Sequence, residues 1–332
     1  MKTAGYIGAV VGIGLLIALG LHADLAAMLD AIGMAGWQLL WLVPYRGLYF
    51  LLFGIGWLVL LRPNDEARRA TWAYVFWVTS VREAVDRLLP VASVGGGVVG
   101  VRLLHWRGLS VAAVSATVVV EIVLTLIASY AFTAVGLALF VSTDRGANVG
   151  RYLVLLAVSL PIPLGTFLLV RYGSVFARLQ RFLQLLVGEN ALSAGAAALD
   201  REVRACLRRR RAIWTAGVLQ FVALCSGTFE IWLAMRLFGH EIEPRSAFIL
   251  ESMTQAMRHL AFMIPGGVGV QEGTLVLFGH ALGISGELAL AVSMAKRFRE
   301  VACGVPSLVT WQWLEGRRLR LRPRVFRPPD RS

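Results

Sequence analysis

The stretch Ile264-Pro265-Gly266-Gly267-Val268-Gly269-Val270-Gln271-Glu272-Gly273 decides how this chain folds. It interrupts the apolar segment 246–283. Its proline removes a backbone N–H and its glycines open positive φ, so a regular helix breaks there. A second interrupted segment, 72–104, carries Pro90 followed by Gly95-Gly96-Gly97. Around the two lie apolar runs at Thr3–Leu21, Trp37–Leu61, Ser110–Val141, Tyr152–Val170, Ala212–Leu237 and Leu288–Trp313. A run of roughly 20 apolar residues crosses about 30 Å of hydrocarbon. Charged residues make up only 16% of the chain, whereas soluble domains carry about a quarter. These features predict an all-α polytopic membrane protein. It has about seven transmembrane helices, the runs above being the clear ones, plus two Pro/Gly-broken re-entrant hairpins. The first run resembles a signal peptide but exceeds the usual apolar core of about 7–15 residues, so it reads as a retained span.

The two interrupted segments are copies of one plan. At an offset of 175, Leu88-Leu89-Pro90 meets Met263-Ile264-Pro265, His105 meets His280, and Gly108-Leu109-Ser110 meets Gly283-Ile284-Ser285. The run 37–61 overlays 212–236. The chain therefore reads as one membrane domain, 1–316, with repeat halves of about 1–150 and 151–316, and a basic tail over 317–332. Each half holds an odd number of spans, so the copies lie in opposite senses, an inverted internal repeat. Discontinuous helices meeting near the midplane of such repeats offer backbone groups and half-helix dipoles to a ligand. The alternative is that proline and glycine only kink helices and let them pack closely.

The net charge of +13 does not point to nucleic acid, because the arginines are sorted by loop. They gather at Arg62, Arg68 and Arg69, at Arg102 and Arg107, throughout 171–211, and from Arg317 onward, while 22–36 has none. Basic loops stay cytoplasmic, which places both termini inside. That parity requires each interrupted segment to enter and leave on one side, as re-entrant arms or as pairs of tilted spans. Cys206, Cys225 and Cys303 have no spacing for a disulfide framework or a metal site, and the histidines show no ligand spacing.

Ionisable groups stand where hydrocarbon should exclude them. The first hairpin carries Arg82, Glu83, Asp86 and Arg87, in which Arg82–Asp86 and Glu83–Arg87 are i,i+4 pairs able to neutralise one another. The second carries Glu251, Arg258 and His259, with Glu272 opening its second arm. Glu121 and Glu230 lie inside long runs, and Lys296, Arg297, Arg299 and Glu300 inside the last one. A central charge costs about 2.5–3.5 kcal/mol even on lenient scales, so such groups face a bundle interior or a watery path. The cation excess around Lys296–Glu300 calls for an anion, from another helix or from a phosphate headgroup. Arg46, alone on its span, reads as snorkelling. Glu272 either caps its own helix or leaves that helix N-terminus to a ligand anion.

The Pro-Gly-Gly-Val-Gly-Val-Gln-Glu-Gly motif of 265–273, together with Arg87-Leu88-Leu89-Pro90, Ala295-Lys296-Arg297-Phe298-Arg299-Glu300 and Gly304-Val305-Pro306, resembles a flippase-like family. That family includes the transmembrane part of lysylphosphatidylglycerol synthetase, and the resemblance is closest to its hopanoid-biosynthesis-associated branch. One departure is that Val91-Ala92-Ser93-Val94 replaces the family's glycine and acidic residue after the first proline. The resemblance implies a lipid flippase or exporter of the bacterial inner membrane, without cofactor or metal. The expected site comprises Arg82, Glu83, Arg87, Glu121, Arg258, Glu272, Lys296, Arg297, Arg299 and Glu300 around an anionic or hopanoid-type lipid. Pro90, Pro265, Gly266, Gly267 and Gly269 shape the hairpins. An enzyme is not expected, since no nucleophile or Asp-rich pyrophosphate motif is present. A scaffold for lipid-biosynthesis enzymes, acting through the basic 171–211 loop with its amphipathic stretch Val175–Leu186, is the remaining alternative.

Overall fold

The computed structural model describes residues 33, 35–89, 95–143, 191–261, 264 and 267–321. The runs expected at 3–21 and 152–170, the stretch Val175–Leu186, and Pro90, Pro265 and Gly266 lie outside the described residues. Within them every regular element is a helix. A 3₁₀ turn at Gly36–Trp41 leads into α1 (Leu42–Leu61), followed by α2 (Trp72–Leu88), α3 (Gly95–Trp106) and α4 (Val111–Thr143). After the undescribed segment come α5 (Ala191–Arg208), α6 (Arg210–Leu237), α7 (Pro244–Leu260), α8 (Val270–Ala281) and α9 (Gly286–Leu321). Among described residues, Gly36–Asn64, Val111–Ser142 and Arg210–Leu237 are long and apolar enough to cross a bilayer.

Local chemistry sets the boundaries. The Asp65 carboxylate accepts from the N–H groups of Arg69 and Ala70 at 2.8 Å each, tying down the link between α1 and α2. The Thr71 hydroxyl then caps α2 by accepting from Tyr74 N. α7 opens with Pro244 in its first turn, where no N–H is needed. α3 and α8 each have 12 residues, rising about 18 Å, so neither crosses the hydrocarbon alone.

The repeat is visible in the helix limits. Adding 175 to the bounds of α3 gives the bounds of α8, and adding it to the first residue of α4 gives the first residue of α9. The turns between them carry Gly108 at φ 81° and Gly283 at φ 78°, a conformation that favours glycine at both equivalent places. The sense of the repeat follows from α1 against α6. The Tyr45 hydroxyl donates to Ser226 O at 2.9 Å and Arg46 faces Glu230, whereas Gly56, farther along α1, faces Ala216 and Leu219. The equivalent helices α1 and α6 thus run antiparallel, and the halves are inverted.

Exchange of the halves also preserves the packing. α2 lies on α9, with Trp77 Nε1 donating to Thr310 Oγ1, and α7 lies on α4, with Gly136 against Ser252. Shifting the Trp77–Thr310 pair by one repeat lands at 252 and 135, one residue from that second contact. Two apolar clusters are each centred on one half, although Leu39 and Leu42 pack into the second and Leu308 and Trp311 into the first. Val75, Leu109 and Val114 sit in the first, and their equivalents Leu250, Ile284 and Ala289 in the second.

The basic segments meet at one end. Arg209, between α5 and α6, donates to Asn64 Oδ1 at 3.2 Å, and Arg102 of α3 pairs with Glu315 near the end of α9. The arginine-rich connections expected on one side therefore share one end of the molecule. Part of the basic loop is not a free loop. α5 docks Val203 and Cys206 against Ala116 and Val120 of α4. Its amphipathic pattern is what holds it there.

Candidate functional site

Between the two apolar cores runs a belt of buried charge, built from the arms of both hairpins and from α1, α4, α6 and α9. In the first half, Glu83 of α2 accepts from Arg87 Nε at 3.0 Å and from an Arg46 terminal nitrogen at 2.9 Å. Arg82 reaches Glu121 of α4 at 2.7 Å and stacks 4.2 Å over the Trp57 ring, whose Nε1 donates to Thr117 Oγ1. Asp86 accepts from Gly96 N at 2.8 Å, capping the start of α3. Gly96 and Gly100 allow this approach: a Cβ would stand 2.5 Å from Arg82 O at the first and 2.7 Å from Arg82 Cδ at the second.

In the second half, Lys296 Nζ lies 2.5 Å from Glu251 Oε2, and Gln255 Nε2 donates to Oε1 of the same carboxylate. Arg299 holds Glu230 at 2.8 Å. Glu300 accepts from Arg258 and Arg297, each at 3.1 Å. Arg297 also donates to Glu272 Oε1 at 3.1 Å and to Gly267 O at 3.0 Å. A relay of Arg258 to Gln271, Gln271 to Ser293 and Ser293 to Glu272 closes the ring. The hairpin break presents Gly267 at φ 59° and Gly269 at φ 79°, turning the carbonyl of Gly267 toward Arg297.

Several expectations are corrected. The i,i+4 pair Glu83–Arg87 forms, but Arg82–Asp86 does not: each partner finds a better one on another element. Arg46 does not snorkel. It is 5% exposed and bridges Glu83 to Glu230, the latter at 3.7 Å. Glu272 does not cap α8, since Ser293 and Arg297 take it. Of the two sources left open for an anion near Lys296–Glu300, other helices supply one, through Glu251, Glu272 and Glu230.

Charge balances within each half separately. Arg46, Arg82 and Arg87 of the first half face Glu83, Asp86 and Glu121. Arg258, Lys296, Arg297 and Arg299 of the second face Glu230, Glu251, Glu272 and Glu300. Arg46–Glu230, which crosses the seam, is the longest ion pair among the described residues. Stranding one buried charge costs about 3–5 kcal/mol. Two halves that are each neutral leave no net charge unpaired at the seam, where Arg46–Glu230 crosses within the belt and Arg102–Glu315 crosses at the basic end.

At the seam lies a small cavity with room for about a single water, lined from the first half by Phe50, Ser80, Glu83 and Arg87, and from the second by Arg299, Glu300, Cys303 and Gly304. Of the expected site residues, Glu83, Arg87, Arg299 and Glu300 border it. Arg258, Arg297 and Glu272 join it through Glu300, whereas Arg82, Glu121 and Lys296 are bonded elsewhere. Arg46, Asp86, Glu230, Glu251, Gln271 and Ser293 belong to the belt but were not in the expected set. Their sequence signal was polarity inside apolar runs.

The family model for the lysylphosphatidylglycerol synthase TM region matches residues 6–305 of the chain. Neither the curated proteins nor the solved structures contain a match.

Proposed function

The chain belongs to the lysylphosphatidylglycerol synthase TM-region family, and on that premise we propose that it is a flippase-like lipid translocator of the bacterial inner membrane. The observation that carries this reading is a belt of buried charge divided into two self-neutral halves of an inverted repeat. Rocking one half against the other around a central site is how inverted-repeat transporters alternate access. Here the seam would open between α2 and α9 and expose Arg87 and Arg299 to a headgroup, with the tails left in lipid. The closed cavity is then the state between openings. The resemblance of the sequence to the hopanoid-associated branch supports a polycyclic lipid as one cargo. The arginines bordering the cavity support a lipid with an anionic group. The protein acts without catalysis in this reading, and lipid-synthesis enzymes are its suppliers.

The test is reconstitution in liposomes carrying a headgroup-labelled anionic phospholipid, with transbilayer movement read by quencher accessibility. Arg87→Gln, which leaves Glu83 paired with Arg46, is expected to slow movement roughly tenfold, the worth of about 1.4 kcal/mol, at equal amounts of folded protein. Movement at the wild-type rate in Arg87→Gln sinks the assignment of that residue. No movement above empty liposomes for wild type, with either a phospholipid or a hopanoid, sinks the translocator.

A further inference from the structure

A second site lies away from the charge belt, at the end where the basic segments meet. The first turns of α2, the end of α3 and the last turns of α9 enclose an open groove of about 640 Å³, the size range of small-molecule sites. Tyr74, Trp77, Trp106, Arg107, Arg317 and Arg318 furnish its aromatic and cationic walls. Among the described residues no carboxylate lines it. The nearby Glu315 is already taken, by Arg102 and by Trp311 Nε1 at 3.1 Å. The Arg107 guanidinium lies 4.2 Å over the Tyr74 ring and that of Arg318 lies 4.7 Å over the Trp106 ring.

Stacking of this kind fixes a guanidinium plane and leaves N–H edges for a planar or tetrahedral oxyanion, which a lysine would not do. Trp72 and Trp313, 64% and 62% exposed, are chain neighbours of the lining residues Thr71, Ala73 and Leu314. Tryptophans and tyrosines favour the headgroup level of a bilayer. An uncompensated basic pocket at that level attracts anionic lipid. We propose that this groove binds the phosphate headgroup of an anionic phospholipid. The assignment does not rest on translocation, because a lipid held here is equally an anchor or an activator.

The purified full-length chain in micelles, titrated with phosphatidylglycerol and phosphatidylcholine of identical acyl chains, tests it by native mass spectrometry. Wild type is expected to retain the anionic lipid roughly tenfold better. The triple variant R107Q/R317Q/R318Q should lose that preference. R62Q/R210Q/R211Q, which removes as many exposed arginines from the same end, should keep it. Equal retention of the two lipids by wild type, or equal loss of preference in the two variants, overturns the proposal. A photoreactive phosphatidylglycerol provides a readout on the unmodified chain. Labelling of the 71–77, 106–107 and 314–318 segments supports the groove, and labelling confined to other segments overturns it.

Discussion

Lys296→Met removes the cation from a pair buried to within 2% of full enclosure on both sides and leaves Glu251 with one donor, Gln255 Nε2 at 2.9 Å. Breaking a buried pair on one side costs about 3–5 kcal/mol, because the surviving charge keeps its desolvation penalty. Removing both partners, in Lys296→Met/Glu251→Gln, removes that stranded charge. The glutamine carbonyl still accepts from Gln255, and methionine fills the lysine's volume, so the double variant should lose only about 1 kcal/mol. The coupling between the two positions is then at least about 2 kcal/mol, which a double-mutant cycle resolves. Equilibrium unfolding in mixed micelles is the assay. If the double variant is as unstable as the worse single one, the pair is not what holds α7 to α9, and the reasoning about self-neutral halves loses its basis.

Further outcomes follow from local geometry. Gly227 faces the same pair: a Cβ there would sit 2.7 Å from Glu251 Oε1, so Gly227→Ala should destabilise by about 1–3 kcal/mol in the same unfolding assay. Cys206, on α5 outside the spans, has its thiol pushed up to about 11 by burial against α4. Its raised value means the folded form favours the thiol over the thiolate, so α5 docking weakens as pH rises from about 9 to about 11. Maleimide labelling of a Cys206-only variant should therefore be slow at pH 8 and accelerate over that window beyond the intrinsic thiolate gain. Labelling as fast as a free thiol at pH 8 means that α5 is not docked.

What the sequence made legible was whatever the backbone demands locally. Gly108 and Gly283 occupy equivalent left-handed turns, so their spacing carried the 175-residue repeat directly into the helix limits. The inverted sense followed from counting spans and is matched by the antiparallel course of α1 and α6. The pairing of charges was legible only within one helix. Glu83–Arg87 obeys the i,i+4 rule, but Arg82 turns to Glu121 because the break after Leu88 brings the start of α3 back against Asp86. Arg46 carries no local sign of its role for the same reason: its partners Glu83 and Glu230 are 37 and 184 positions away in the chain. The docked helix α5 escaped notice because its arginines identified the loop's side while its apolar face, Val203 and Cys206, identified its partner.

Translocation as proposed requires the halves to part along α2 and α9. At this interface a Cβ on Gly304 would stand 3.4 Å from the Cβ of Ala84, close to the separation a disulfide spans. The measurement is transbilayer lipid movement by Ala84→Cys/Gly304→Cys, in a background with Cys206, Cys225 and Cys303 replaced by serine, before and after reduction. Arrest in the oxidised protein and recovery on reduction are expected. Movement at the same rate in both states, with the cross-link verified, would contradict it.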